Sequence, residues 1–173
     1  MSYLGILLLI ILTALISFVW TQFVGAPWVP SSTKTVRKML TMANVKPNEL
    51  VYDLGCGDAR ILIMAASQFG ARAVGIEIDP LRYLLSQIRI FSLGLRDRVS
   101  IKYGNFYKYD LSQADVITCY LLQDTNKKIS TKLNRELKPR ARVVSNTFTF
   151  PTLCLLQKNK ELGIFMYKKK GDH

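Results

Sequence analysis

The 173-residue sequence predicts an α/β domain with a doubly wound, mainly parallel sheet, preceded by one membrane-crossing helix. Three observations carry that prediction. Strand-like and helix-like runs alternate from residue 50 onward at the spacing of βαβ units. The first 33 residues carry no charged side chain, and all 24 Lys+Arg and all 12 Asp+Glu lie behind them, for a net charge of +12. A turn with two glycines, Gly55-Cys56-Gly57, follows the first strand, where such sheets bind ligands.

Residues 3–24 read as the membrane helix. About 22 residues at roughly 1.5 Å each span about 33 Å, enough for the hydrocarbon core. A cleaved signal peptide would have a basic start and a shorter apolar run. Here no Lys or Arg precedes the run, and Pro27 follows the small-residue pair that a protease would need. Lys34, Arg37 and Lys38 come directly after it. The positive-inside rule then makes the chain a single-pass membrane protein with its domain on the cytoplasmic side, or in a mitochondrial membrane in a eukaryote. The anchor is expected over 1–25, a Pro-rich linker over 26–33 and the domain over 34–173.

Ser32 or Thr33 can cap a helix to about Asn44, with Val36, Met39, Leu40 and Ala43 as its apolar stripe. Leu50–Leu54 is a short buried strand, and Ala59–Phe69 a helix closed by Gly70. Ala73–Ile78 is the second strand. Asp79 and Pro80 supply the cap and first-turn proline of a helix ending near Gly94. Val99–Tyr103 and Asp115–Tyr120 are the third and fourth strands. Asp124 is the expected cap of a helix to Leu137 that turns Ile129, Leu133 and Leu137 inward. Arg142–Thr149 and Gly163–Lys168 complete the strands.

The site residues gather at the carboxyl ends of the first two strands. Gly55, Cys56, Gly57 and Asp58 form the first strand-to-helix turn, where glycines let backbone N–H groups approach a ligand. Glu77 ends the second strand, 20 residues after Gly57, with Ile78 beside it. A carboxylate there can accept both hydroxyls of a ribose. Arg60 stands where the dinucleotide fingerprint GxGxxG needs its third glycine, so that fingerprint fails, and no GxxxxGK[ST] is present. Asp53, just before the glycines, suits a ligand with a cationic amino group better than a pyrophosphate. Asp79 reads as a helix cap and Cys56 as a small filler.

Other chemistries are disfavoured. The single histidine is His173, the last residue, which leaves no Ser-His-Asp triad or His-based metal site. Cys56, Cys119 and Cys154 are odd in number and form no CxxC, so neither a disulfide framework nor a zinc site is expected, and no metal.

The stretch Asp53-Leu-Gly-Cys-Gly-Asp-Ala-Arg60 resembles the first motif of the class I, seven-β-strand S-adenosylmethionine (SAM) methyltransferases, a Rossmann-like fold. The resemblance implies seven strands and SAM as cofactor. It implies that Asp53, Gly55 and Gly57 line the amino-acid end of SAM, that Glu77 holds the ribose, and that Asn105 and Phe106 lie near adenine. Ala59 departs from the glycine of many members. A narrower likeness rests on PWVPSSTKTVRKML, VYDLGCGDARI, CYLL and ELKPRARVVSNTF over residues 27–150. These are similar to the small archaeal protein-lysine methyltransferases and to the mitochondrial enzymes acting on the ATP synthase c-subunit and the adenine nucleotide translocase. In that subgroup the segment before the first helix folds over SAM, which would carry Trp28, Val29, Pro30 and Ser31 into the site. The expected function is transfer of methyl groups to a lysine of a protein, with a membrane-associated acceptor. Tyr120, at the end of the fourth strand, and Trp28 are candidates to shape a lysine channel, the latter through cation–π contact. A small-molecule, lipid or RNA methyltransferase and a non-catalytic SAM-binding protein are the alternatives.

The basic residues bear on partners. Lys127, Lys128, Lys132, Arg135, Lys138, Arg140 and Arg142 have only Glu136 as an acid in the same stretch, and Lys168–Lys170 add a second run. An anionic membrane surface and a merely solvated face are the favoured readings, with nucleic acid less favoured.

Overall fold

A computed structural model of the protein describes residues 2–24 and 29–171, with backbone only at 10, 14 and 16–24. Its helices are α1 (Tyr3–Val24), α2 (Thr33–Met42), α3 (Arg60–Phe69), α4 (Pro80–Ser92) and α5 (Gln123–Glu136). Its strands are β1 (Leu50–Leu54), β2 (Arg72–Glu77), β3 (Val99–Tyr103), β4 (Val116–Cys119), β5 (Arg142–Asn146), β6 (Cys154–Asn159) and β7 (Ile164–Lys168). They form one sheet in the order β3-β2-β1-β4-β5-β7-β6. β1 to β5 pair in parallel, and β7 runs antiparallel to both β5 and β6.

Both faces of the sheet are covered. On one, Val51, Val116 and Val144 pack with α2 and α3, including Met39, Leu40 and Leu62. On the other, Tyr52, Ile117 and Val143 pack with Ile129, Leu133 and Leu137, the inward stripe expected of α5. Alternate residues of one strand thus enter opposite cores, the pattern of a strand buried on both sides. The expected α2 stripe, Val36, Met39, Leu40 and Ala43, is buried throughout. Ser32 caps α2 by accepting the Thr35 N–H, and Asp79 caps α4 by accepting the Arg82 N–H.

Four expectations are corrected. The membrane-crossing helix is the first. A helix does form over Tyr3–Val24, but among the described residues no helix is long and apolar enough to cross a membrane. The helix lies against α4. Second, α5 begins at Gln123 with Leu122 at its cap position. Asp124 falls in the first turn, where its charge meets the positive end of the helix dipole. Third, β5 stops at Asn146 because Thr147 takes a left-handed φ of 66°. Fourth, β6 was not expected. It is an exposed edge strand without inward-outward alternation, so it carries no periodic signal. Its addition brings the strands to the seven that the family resemblance implies.

Candidate active site

The site lies where the strand order reverses. Successive connections from β1 run to β2 and β3 on one side, and the chain then returns to β4 on the other. The carboxyl ends of β1 and β4 therefore open onto a crevice. A cleft of about 440 Å³ occupies it.

The β1–α3 loop forms one wall. Gly55, Gly57 and Ala59 take φ values of 75°, 54° and 62°, so alternate residues of the turn are left-handed. The backbone N–H groups of the turn are engaged within the fold: Gly55 and Cys56 donate to the Ile76 carbonyl at 2.9 and 3.2 Å, and Ala59 donates to the Cys56 carbonyl at 2.9 Å. At Ala59 the left-handed backbone costs roughly 1 kcal/mol relative to glycine, which gives glycine its advantage at this position. Cys56 fills space as expected. Its sulfur sits against β2 so closely that a Cβ on Gly75 would stand 2.5 Å from it. Burial pushes the Cys56 thiol well above its ordinary value, so it is no thiolate nucleophile.

Two buried carboxylates define the floor. The Thr118 hydroxyl donates to Asp53 Oδ1 at 2.9 Å across the β1–β4 register. Burial, reinforced by Glu77 and Asp58, nevertheless raises the Asp53 carboxyl to about 7. Glu77 accepts the Gly57 N–H at 2.8 Å on Oε2, and the Ile78 and Asp79 N–H groups at 3.0 and 2.9 Å on Oε1. It therefore ties the glycine loop to the start of α4 while facing the cleft.

Asp58 is engaged differently from its neighbours. Both its oxygens accept from Arg60, from Nε and Nη2 at 2.8 Å each, and Oδ2 also accepts from Arg89 Nη1 at 2.7 Å. Burial alone would raise it, but the bonds and charges of Arg60 and Arg89 prevail and hold it below the usual carboxylate range. Arg60 Nη1 in turn donates to the Ser31 carbonyl at 2.7 Å, and Asn146 Nδ2 donates to Ser31 Oγ at 3.0 Å. The segment Val29-Pro30-Ser31 is thus strapped across the cleft mouth from two sides. Trp28 lies outside the described residues.

The opposite end is aromatic. Asn105 caps a short 3-10 turn, Phe106–Lys108, by accepting the Tyr107 N–H at 3.0 Å, and Asn105, Phe106 and Tyr107 all line the cleft. Tyr120 stacks on Phe148 with ring centroids 6.3 Å apart, and Lys128 of α5 completes this wall. All the expected site residues within the described chain therefore meet in one cleft. Arg60, Lys128, Asn146 and Phe148 were missed as site residues. Arg60 had a signal, since it stood in the glycine motif.

The residues present suit SAM. A buried Asp53 faces the cleft as the partner of an ammonium, Glu77 stands one strand away with its carboxylate fixed, and Gly55, Cys56 and Gly57 line the cleft beside them. Among the described residues there is no cluster of metal-ligating side chains.

Sheet order and site together define a SAM-dependent methyltransferase. A solved RNA methyltransferase from Salinibacter ruber, in complex with S-adenosyl-L-homocysteine, superposes with a TM-score of 0.76 at 37% identity, covering 80% of this chain and 91% of that one. The family model of the ANTKMT methyltransferase domain matches residues 53–155, and this chain belongs to that family. A protein-lysine N-methyltransferase of Saccharolobus islandicus is 46% identical over 123 residues, 70% of this chain and 76% of that one. The adenine nucleotide translocase lysine N-methyltransferase of Mus musculus is 32% identical over 127 residues, 73% of this chain, which spans 55% of the mouse protein.

The basic residues of α5 and β5 look less available than the sequence suggested. Lys132 and Arg135 pair with Glu136, Lys138 with Asp115 and Arg142 with Glu49. The acids come largely from elsewhere in the chain, so the local sequence overstated the unpaired charge.

Proposed function

We propose that the protein transfers methyl groups from SAM to a lysine side chain of a protein acceptor. The observation that carries this reading is the polarity of the cleft. Its carboxylates, Asp53, Asp58, Glu77 and Asp79, stand at the glycine-loop end, and its far wall offers Tyr120, Phe148 and Lys128. The relative from Saccharolobus islandicus supports the acceptor class.

When bound, SAM supplies a methyl group on a sulfonium, which leaves as a neutral thioether. Asp53 would take the amino group, with Gly55, Cys56 and Gly57 lending backbone contacts. Glu77 would hold the ribose, with Ile78, Asn105 and Phe106 around the base. Val29, Pro30 and Ser31 would close over the cofactor, and Asp58 would act through Arg60. The acceptor amine must arrive uncharged to attack carbon. Lys128 disfavours a second cation in the same cleft, and the proton leaves to water before transfer. Tyr120 and Phe148 would hold the alkyl chain and exclude water, so that alignment supplies most of the rate.

The acceptor we infer is a membrane-associated protein, on the ground of the uncharged first 33 residues. The test is transfer of labelled methyl from SAM into a membrane extract, followed by separate protease, nuclease and lipid-extraction steps. Label released by protease and recovered as methyllysine supports the reading. Label released by nuclease would instead favour an RNA acceptor, the second reading, which the name of the Salinibacter ruber relative and the net +12 support.

A further inference from the structure

Helix α4 packs Tyr83 and Ile90 against the core and carries a second apolar face outward. Of its 13 residues only Ser86 and Ile90 are buried. Leu84, Leu85, Ile88 and Phe91, spaced i, i+1, i+4 and i+7, form a stripe that points outward, and Leu93 extends it. Each of the five is more than half exposed. Amphipathic helices of soluble domains put such a stripe into the core. A contiguous apolar patch on the surface marks an interaction site.

The surroundings select the occupant. Between Asp79 and Asp110 the chain carries six basic residues and one acid, Asp97, and of the six Arg89 is paired with Asp58. Arg96 lies over the Phe91 ring with Cζ 4.4 Å from its centroid, and Lys102 is exposed on the neighbouring edge strand β3. Tyr103 is also exposed there, 5.4 Å from Tyr83 of α4. The element beside α4 is α1, whose Leu4, Leu8, Leu12 and Leu15 are exposed as well. An apolar stripe rimmed by cations and tyrosine, continuous with an uncharged helix, matches the boundary between acyl chains and anionic headgroups.

From this we infer that the outward face of α4 docks on an anionic lipid bilayer, with Leu84, Leu85, Ile88 and Phe91 in the acyl boundary. The inference rests on the reading that the enzyme works at a membrane and names the face it uses. Arg89 of the same helix bonds to Asp58, which holds Arg60 and through it the Ser31 strap. The docked face therefore adjoins the cleft mouth, where a lysine close to the bilayer would enter.

The test uses the full chain with a polarity-sensitive thiol probe. Of the cysteines, Cys56 and Cys119 are buried and Cys154 is exposed on β6, at the opposite edge of the sheet from β3. Native protein labelled at Cys154 is the control, and the Cys154→Ser/Ile88→Cys variant labelled at position 88 is the sensor. With phosphatidylcholine–phosphatidylglycerol vesicles, the sensor is expected to shift to the blue and be quenched by chain-brominated lipid, with the control unchanged. Phosphatidylcholine alone should give a smaller response. Binding of the chain to vesicles without a change at position 88 overturns the face and leaves membrane association standing. Failure to co-sediment with vesicles overturns both. A blue-shifted sensor before vesicles are added overturns the proposal in favour of a protein cover. That cover is α1 if the shift is independent of protein concentration, and a second copy if it grows with concentration. SAM binding by the same variants reports separately on the folded site.

Discussion

Asp53 and Thr118 face each other across β1 and β4, with the threonine hydroxyl 2.9 Å from the carboxylate it serves. The bond lowers the Asp53 carboxyl, yet burial outweighs it and leaves the group near 7. An ammonium needs the ionised form, so binding SAM below that pH must expel a proton. SAM affinity is expected to rise about tenfold per pH unit below 7 and to level off above it, which titration calorimetry in buffers of different ionisation enthalpy would read. Thr118→Val removes a bond to the charged form and should move that break upward.

The same group sets a stability trend in the ligand-free protein. A carboxyl raised on folding contributes stability in full below its ordinary value, near 3.8, and loses it as pH climbs through about 7. Asp53→Asn should therefore stabilise the free protein at pH 8 and weaken SAM binding by at least tenfold. Denaturant melts at pH 5 and 8 check the first part, since the gain should shrink at the lower pH.

Arg60 joins Asp58 to the Ser31 carbonyl through a fork of three bonds. A lysine cannot reproduce that geometry. Both Arg60→Lys and Arg60→Ala are expected to loosen residues 29–31 and weaken SAM binding by roughly tenfold, from about 1.5 kcal/mol for lost charge-assisted bonds. Amide exchange at residues 31 and 32, compared with and without SAM, should speed up in both variants. Unchanged exchange would remove Arg60 from the strap.

These cases mark how far the sequence could be read. The alternation of runs exposed the parallel sheet, and the tight spacing of Asp53, Gly55 and Gly57 exposed one wall of the cleft, because both are local patterns. Arg60 reaches Ser31 across 29 positions, and Arg142 meets Glu49 across 93, and no local spacing encodes such pairings. Phe148 was hidden for a related reason. The left-handed Thr147 ends β5 and is followed by the ring that meets Tyr120, a placement that depends on one backbone angle. β6 escaped because its exposed side chains show no alternation.

Phe148 and Tyr120 should affect the acceptor more than the cofactor. Phe148→Ala removes one ring of the stacked pair, and a cation or alkyl chain against such rings is worth about 1 kcal/mol. The acceptor KM is expected to rise about fivefold in each single variant, with SAM affinity nearly constant. Because the rings are stacked as neighbours, the double variant should cost less than the product of the two. Full additivity would show that they do not act as a pair.

Lys128 places a positive charge on the wall where an amine would enter. Taken at the dielectric of water, its smallest value, repulsion between two neighbouring cations is about 0.7 kcal/mol, which favours the neutral amine by roughly threefold. Lys128→Gln should move the alkaline rise of kcat to higher pH and lower the rate at pH 7 by about that factor, with Lys128→Arg retaining the native profile. A change in KM alone, with the pH profile of kcat unmoved, would make Lys128 a contact for the acceptor protein and not a device for stripping its proton.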